Sequence, residues 1–271
     1  MTNRHLTVRG CWLVAWGVVL ITRSLAAGDD VQPDRSWRPL PLVTNGTLDP
    51  LWKHLWGGRF SVMPDGSLRT DCDDSGMGLL LYTQERFGDC QIRVVYRSEN
   101  ARSNAGVYVR IDEGILARAN DPLPRRERSS DGKFTKETLQ RIEKSSEAER
   151  EAWYPVHHGY EVQIGDAGDA LHRTGAIYSL APAAPAPARP PAEWKTMIIT
   201  LEGNRVLVDV DGKRLTTFDP DSPEVPPRKR WSEPRREPGR PMSGFIGLQN
   251  HDPGDVVYFK EVSVRPLGGR D

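Results

Sequence analysis

The sequence has little cysteine and no excess of either charge. Among its 271 residues, 37 basic and 37 acidic side chains cancel, so bulk charge does not indicate a nucleic-acid partner. Its three cysteines form no CxxC pair and no Cys/His zinc spacing. Cys72 and Cys90 are compatible with a disulfide and equally with two buried thiols on neighbouring strands, and both readings stay open at this point.

The chain also has no apolar run that reaches the roughly 20 residues of a membrane-spanning helix. The apolar run at 11–21 follows basic residues and precedes a short stretch of small ones. This order is typical of a secretory signal peptide. We therefore predict a signal at 1–27, cleaved near Ala26 or Ala27, an exported protein, and no stable membrane insertion.

Hydrophobic residues make up only 37% of the chain, and the shortfall lies mainly in two polar segments. Residues 112–155 hold ten acids and nine bases, and within them 131–153 is predicted to be a solvent-facing helix. Residues 219–241 contain seven prolines, which favours a long surface loop. We interpret 112–155 as a charged, partly helical insertion between strands.

Most of the remaining chain alternates apolar and polar residues with the period of a β-strand. The clearest examples are "CQIRVVYRS" (90–98), "NAGVYVRI" (104–111), "GYEVQIGD" (159–166) and "GFIGLQNHD" (244–252). Strands this frequent, with turn residues between them, predict an all-β sandwich. We expect a single domain over 37–267.

Three of these strands carry unusual side chains on the face away from the predicted core. Residues two apart in a strand share a face, so Glu161 and Gln163 point away from Val162. The same rule groups the polar side chains of the other two strands, which are Tyr108, Arg110, Gln249 and His251. Amides, carboxylates and arginine suit the paired hydrogen bonds of a sugar, so these faces indicate a ligand site or, alternatively, an ordinary solvated surface.

Five short motifs resemble a known family in their order and character. They are "NAGVYVR" (104–110), "GYEVQIGD" (159–166), "TGAIY" (174–178), "EWKTMII" (193–199) and "GFIGLQNHDPGDVVYFKEVSV" (244–264). Together they resemble the 3-keto-disaccharide hydrolase domain, also described as 3-keto-glucoside 1,2-lyase and 3-keto-2-hydroxy-glucal hydratase. The resemblance implies a concanavalin A-like jelly-roll sandwich, export, and action on oxidised sugars.

Cleavage of a 3-keto-glycoside needs few chemical groups. The ketone acidifies the hydrogen at C2, so a base removes it while the glycosidic oxygen leaves C1, and water then adds across the double bond. The site needs a base near C2, an acid near the leaving oxygen, and positive charge near the forming enolate.

Several residues are candidates for these roles. We predict His251, Glu161 and Asp166 as catalytic, because imidazole and carboxylate exchange protons near neutral pH. We predict that the sugar contacts a set of five side chains, which are Tyr108, Arg110, Gln163, Gln249 and Tyr178. Glu161, Gln163 and His251 would also suit a divalent metal ion, and no organic cofactor is expected.

The expected partner is an oligosaccharide or a 3-keto-glycoside. The main hypothesis is an exported carbohydrate-active enzyme that cleaves 3-keto-glycosides by elimination and hydration, with net hydrolysis. The alternatives are a non-catalytic carbohydrate-binding module on the same fold and an extracellular structural domain without a small ligand. Fold alone does not choose among them.

Overall fold

The structure, a computed structural model, describes residues 36–237 and 239–267, so the predicted signal at 1–27 lies outside the described residues. Within the described ranges the chain forms mostly strands: β1 (Arg38–Pro39), β2 (Val43–Thr44), β3 (Thr47–Leu48), β4 (Trp52–Trp56), β5 (Arg59–Val62), β6 (Leu68–Asp71), β7 (Gly78–Phe87), β8 (Cys90–Ser98), β9 (Ala105–Ile111), β10 (Tyr160–Ile164), β11 (Lys195–Glu202), β12 (Arg205–Val210), β13 (Lys213–Phe218), β14 (Gly244–Asn250) and β15 (Val257–Pro266). The helices are α1 (Ile115–Arg118), α2 (Lys136–Glu147) and α3 (Trp153–His158).

Two antiparallel sheets form the sandwich. The larger sheet has the order β13-β12-β11-β8-β15-β6-β5, with β1 also paired to β15, and the smaller has the order β10-β9-β14-β7-β4. Alternation along β8 buries Ile92, Val94 and Tyr96 against apolar side chains of the smaller sheet such as Val107 and Leu248. The predicted jelly-roll β-sandwich is therefore confirmed.

The charged insertion is not simply the solvent-facing helix predicted over 131–153. Its main helix, α2, begins after Thr135, whose hydroxyl accepts a hydrogen bond from the Thr138 amide at 3.2 Å. Ile142 of α2 and Trp153 of α3 belong to a second apolar cluster on the outer face of the smaller sheet. The insertion thus covers part of that face, and the remainder is left for polar side chains.

The structure also bears on the two cysteines, the Pro-rich segment and the expectation that no helix spans a membrane. Cys72 and Cys90 are both free, so they form no disulfide, and the buried-thiol alternative holds for Cys90 alone, because Cys72 is half-buried and follows the end of β6. The Pro-rich segment 219–241 forms neither helix nor strand in its described residues. Among the residues that the structure describes, no helix has the length and apolar character needed to cross a membrane.

The prediction that Arg110 shares the ligand face with Tyr108 is wrong. The pairing of β9 with β14 shifts register between Phe245 and Gly247, and Arg110 has a φ of 53°. The irregularity turns Arg110 away from that face: its side chain is only 1% exposed, donates to the Gly203 carbonyl oxygen and lies 3.5 Å from an Asp89 carboxylate oxygen.

Arg110 therefore has a structural role, which a substitution tests. Arg110→Ala removes a charge-assisted hydrogen bond at the end of the sandwich, so we expect a loss of about 2 kcal/mol in the free energy of unfolding in urea. Arg102 is a matched control, because it is an exposed arginine and Arg102→Ala should change stability by less than about 0.5 kcal/mol. Unchanged stability of Arg110→Ala would contradict this assignment.

Candidate active site

A cavity of about 320 Å³ lies on the outer face of the smaller sheet. It brings together five of the predicted residues, which are Glu161, Gln163, Tyr178, Gln249 and His251. It is also lined by Asn104, which strand alternation places on the same face, and by side chains that the strand pattern did not predict, among them Arg102, Trp153 and His172. The cavity is thus polar on its sheet side and has an aromatic wall from the insertion.

Strand alternation and register explain how the polar side chains meet. In β10, Tyr160, Val162 and Ile164 enter the main core, which leaves Glu161 and Gln163 on the outer face. The register of the sheet then places Glu161 opposite Tyr108 of β9, and Tyr108 is in turn opposite Gly247 of β14.

A buried hydrogen-bond chain links these three strands. The Tyr108 hydroxyl donates to Glu161 Oε2 at 2.8 Å and accepts from Gln249 Nε2 at 2.9 Å. Tyr108 is only 2% exposed and lies beneath the cavity wall, so it positions Glu161 and is placed away from direct sugar contact. A Cβ atom at Gly106 would lie 2.7 Å from Glu161 Oε1, so the glycine leaves room for the carboxylate.

Burial controls the acidity of Glu161. Desolvation raises the pKa of its carboxyl to about 7, against the lowering effects of the Tyr108 hydrogen bond and the His251 charge. The same surroundings raise the pKa of Tyr108 well above its ordinary value, so the phenol stays protonated and keeps donating. Glu161 is therefore poised to gain or lose a proton near neutral pH.

His251 follows the end of β14 and is held by acidic neighbours. Its Nδ1 lies 2.7 Å from Asp255 Oδ2, an arrangement in which Nδ1 donates and Nε2 remains the nitrogen that exchanges a proton. Burial alone lowers the pKa of His251, but the Asp255 hydrogen bond and the charges of Asp252 and Asp255 outweigh it and raise that pKa. The imidazolium form of His251 is therefore favoured.

Two amide oxygens complete the polar wall. Gln163 Nε2 donates to Asn104 Oδ1 at 2.7 Å, while Gln163 Oε1 and Gln249 Oε1 are buried without a hydrogen-bond partner in the described part of the chain. A buried, unpaired carbonyl oxygen is costly unless a ligand satisfies it. Both oxygens are thus available to hydroxyl groups or to a cation.

Asp166 does not join this group, contrary to the prediction. Asp166 follows Ile164 by two residues, so its side chain points to the same side as Ile164, toward the larger sheet. There it accepts from Lys195 Nζ at 2.7 Å and from Thr174 Oγ1 at 2.8 Å. This is a structural ion pair, and Asp166 is absent from the lining of the cavity.

His172 is a cavity residue that the strand pattern could not reveal, because it lies in an irregular loop. Its Nδ1 is 2.8 Å from Asp169 Oδ1 and its Nε2 is 2.8 Å from Ser179 Oγ, so both ring nitrogens are held. Its ring also meets Tyr178 edge-on, with 5.2 Å between centroids. This pair and Trp153 are the aromatic lining of the cavity.

One histidine and two aspartates after the end of β14 lie close enough together to share a metal ion. Ligand atoms of His251, Asp252 and Asp255 all lie within 4.8 Å. Asp255 already accepts from His251, and Asp252 lies 3.5 Å from Arg126 Nη1. Hydrogen bonds and ion pairing thus account for this cluster, and its carboxylates serve to orient and charge His251.

A jelly-roll sandwich with a polar cavity that bears a carboxylate and an imidazole on one sheet is an arrangement suited to binding a polar ligand. The chain matches the model of the 3-keto-alpha-glucoside-1,2-lyase-like domain over residues 37–265. It therefore belongs to that family, and its function is related to carbohydrates. No curated protein matches the chain.

Solved structures with low identity share the fold. A candidate glycosyl hydrolase from Parabacteroides distasonis is 21% identical, with a TM-score of 0.51, covering 86% of this chain and 100% of that one. A second from the same organism is 17% identical, with a TM-score of 0.52 and coverage of 80% and 89%. A Bacillus subtilis protein of unknown function with a galectin-like fold is 14% identical, with a TM-score of 0.54 and coverage of 87% and 100%.

The raised pKa of Glu161 has a consequence for stability. The folded pKa of about 7 lies above the ordinary value of 4.5, so the folded chain loses stability as pH rises through this window. Glu161→Gln removes the ionisation, and we expect it to gain on the order of 3 kcal/mol relative to wild type between pH 4.5 and 7.5. Urea unfolding of both proteins in chelator measures this, and parallel pH profiles would contradict the burial of a titrating carboxyl.

Proposed function

We propose that the protein cleaves 3-keto-glycosides by elimination across C1 and C2 followed by addition of water. One observation carries the proposal: a buried carboxyl with a pKa of about 7, Glu161, lines the same cavity as His251, whose pKa is raised. Two titratable groups with different environments can act as a base and an acid in one site.

Glu161 is the base in this mechanism. Its carboxylate takes the proton from C2, which the ketone at C3 acidifies, and the electron pair of the C2–H bond forms the enolate. The enolate collapses to a C1–C2 double bond as the C1–O bond breaks. His251 gives the departing oxygen its proton, so the leaving group departs as a neutral alcohol.

The addition of water returns Glu161 and His251 to their starting protonation states. His251 takes a proton from water as the hydroxide adds to C1, and Glu161 returns its proton to C2. The net reaction consumes one water and yields the alcohol and the free 3-keto sugar. Arg102, which lines the same cavity, offers positive charge for the enolate oxygen.

Binding of a divalent cation is a second use for the same side chains. Glu161, Gln163 and His251 line one cavity and would supply carboxylate, amide and imidazole ligands, and the Asp255 carboxylate beside His251 is typical of a metal-binding histidine. A cation held there would supply positive charge to the enolate. Because a ligating group cannot also exchange protons, this use is an alternative to acid and base roles for Glu161 and His251.

An assay with oxidised sugar tests the proposal. Purified protein is incubated with a 3-keto-disaccharide, with and without chelator, and the products are separated chromatographically. We expect turnover by wild type and a loss of about a thousandfold for Glu161→Gln and for His251→Asn, because each removes a proton-transfer group. Leu116→Ala, an exposed residue outside the cavity lining, is the matched control and should retain full activity.

The other outcomes separate the alternatives. Activity lost in chelator and restored by a divalent cation would support the ligand role over the acid and base roles. Unchanged keto sugar in every sample would overturn the enzymatic proposal. Binding of unoxidised glycans without turnover would instead support a carbohydrate-binding module. Export after cleavage near Ala26 or Ala27 remains part of the proposal, and the mass of the mature N-terminus measures it.

A further inference from the structure

A second, smaller cavity of about 160 Å³ adjoins the candidate active site. Its apolar lining consists of Met77, Phe134, Leu139, Ile142, Trp153 and Trp231. Met77, Trp153 and His251 line both cavities, so the two spaces lie side by side and share these side chains as walls. We call this smaller space the annex.

The annex is built by the two segments that interrupt the strand pattern. Phe134, Leu139, Ile142 and Trp153 come from the insertion at 112–155, and Trp231 comes from the Pro-rich loop. The interruptions of the sandwich therefore give the site an apolar compartment that the strands themselves do not provide.

Several contacts hold the annex walls in place. The Trp153 and Trp231 rings meet edge-on, with 5.3 Å between centroids, and the guanidinium of Arg128 lies 4.1 Å from the centre of the Phe134 ring. The backbone of Trp231 is anchored to α2, because its carbonyl oxygen accepts a hydrogen bond from Ser146 Oγ at 2.9 Å. The annex is thus a preformed space between anchored rings.

The annex has few polar groups for a sugar. Arg126 and Asp252 border it and lie 3.5 Å apart, while Arg126 Nε is buried without a hydrogen-bond partner among the described residues. Trp153 Nε1 is buried and has no hydrogen-bond partner among the described residues, at the wall that both cavities share. Apart from Arg126, His251 and Asp252, the lining side chains are apolar or aromatic, so most hydroxyl groups of a second sugar ring would be unpaired in the annex, whereas an aromatic ring loses no hydrogen bond on leaving water.

We propose that the annex binds the leaving group of the glycoside, and that this leaving group is an apolar aromatic ring. The inference rests on the proposed function, in which His251 protonates the departing oxygen. His251 lies at the boundary of the two cavities, so a sugar in the polar cavity directs its leaving group into the annex. An apolar cavity of about 150 Å³ is large enough for benzene, which matches the annex in size.

Binding and turnover test this separately. Calorimetry compares phenyl and methyl glucoside of the same anomer, and kinetics compare the two corresponding 3-keto-glucosides. We expect wild type to bind the phenyl glucoside about tenfold more tightly than the methyl glucoside and to show a correspondingly lower KM for the phenyl keto sugar, and Trp231→Ala to lose this preference in binding while it retains the methyl compound. Leu139→Asp, at a residue that is 48% exposed, should lose the preference as well without threatening the fold.

The control is Leu116→Ala, because Leu116 is as exposed as Leu139 but lies outside the annex, and it should keep the preference. Tighter binding of the phenyl glucoside, together with no turnover of either keto sugar, would support the annex as a binding site for an aromatic ring. The same result would overturn the proposed reaction. Equal affinity for the two glucosides, binding of neither, or a preference that survives both annex substitutions would overturn the annex proposal.

Discussion

The hydrogen bond from Tyr108 to Glu161 depends on the register of three neighbouring strands, and the candidate site depends on that bond. Glu161 and Gln249 come from strands on either side of Tyr108, and the tyrosine hydroxyl joins them at 2.8 and 2.9 Å. Because side chains alternate between faces, a slip of one residue in either pairing would send a site residue into the core. The sheet therefore fixes a carboxyl in a position where burial costs energy and makes it a useful base.

The interruptions of the sandwich give the site its asymmetry. Strands supply the polar wall, whereas the insertion and the Pro-rich loop supply the apolar one, and Trp153 belongs to both cavities. The insertion also reaches the charged side of the site, since Arg126 lies beside Asp252, whose charge helps to raise the pKa of His251. A segment whose sequence reads as a charged surface helix thus contributes both apolar walls and electrostatics to the site.

The sequence predicted the parts of this arrangement that follow from periodicity. Alternation identified the sandwich and placed Glu161, Gln163 and Gln249 on one outer face, and the structure gathers them in one cavity. It failed for Arg110, because a bulge is a property of the pairing between two strands and leaves no mark on either strand alone. It could not find His172, whose position depends on an irregular loop held by Asp169 and Ser179, nor the walls supplied by the insertion, since loops follow no period.

The proposed chemistry and the role of the buried hydrogen-bond network both depend on whether Glu161 gains and loses a proton near neutral pH. The most direct measurement is a carbon-13 NMR titration of protein labelled at the glutamate carboxyl, with Glu161→Gln used to assign the resonance. We expect a midpoint near pH 7 for Glu161, because burial at the cavity wall raises its pKa. A midpoint at the ordinary value of 4.5 would contradict it, because a freely ionised, hydrated carboxylate is incompatible with this site.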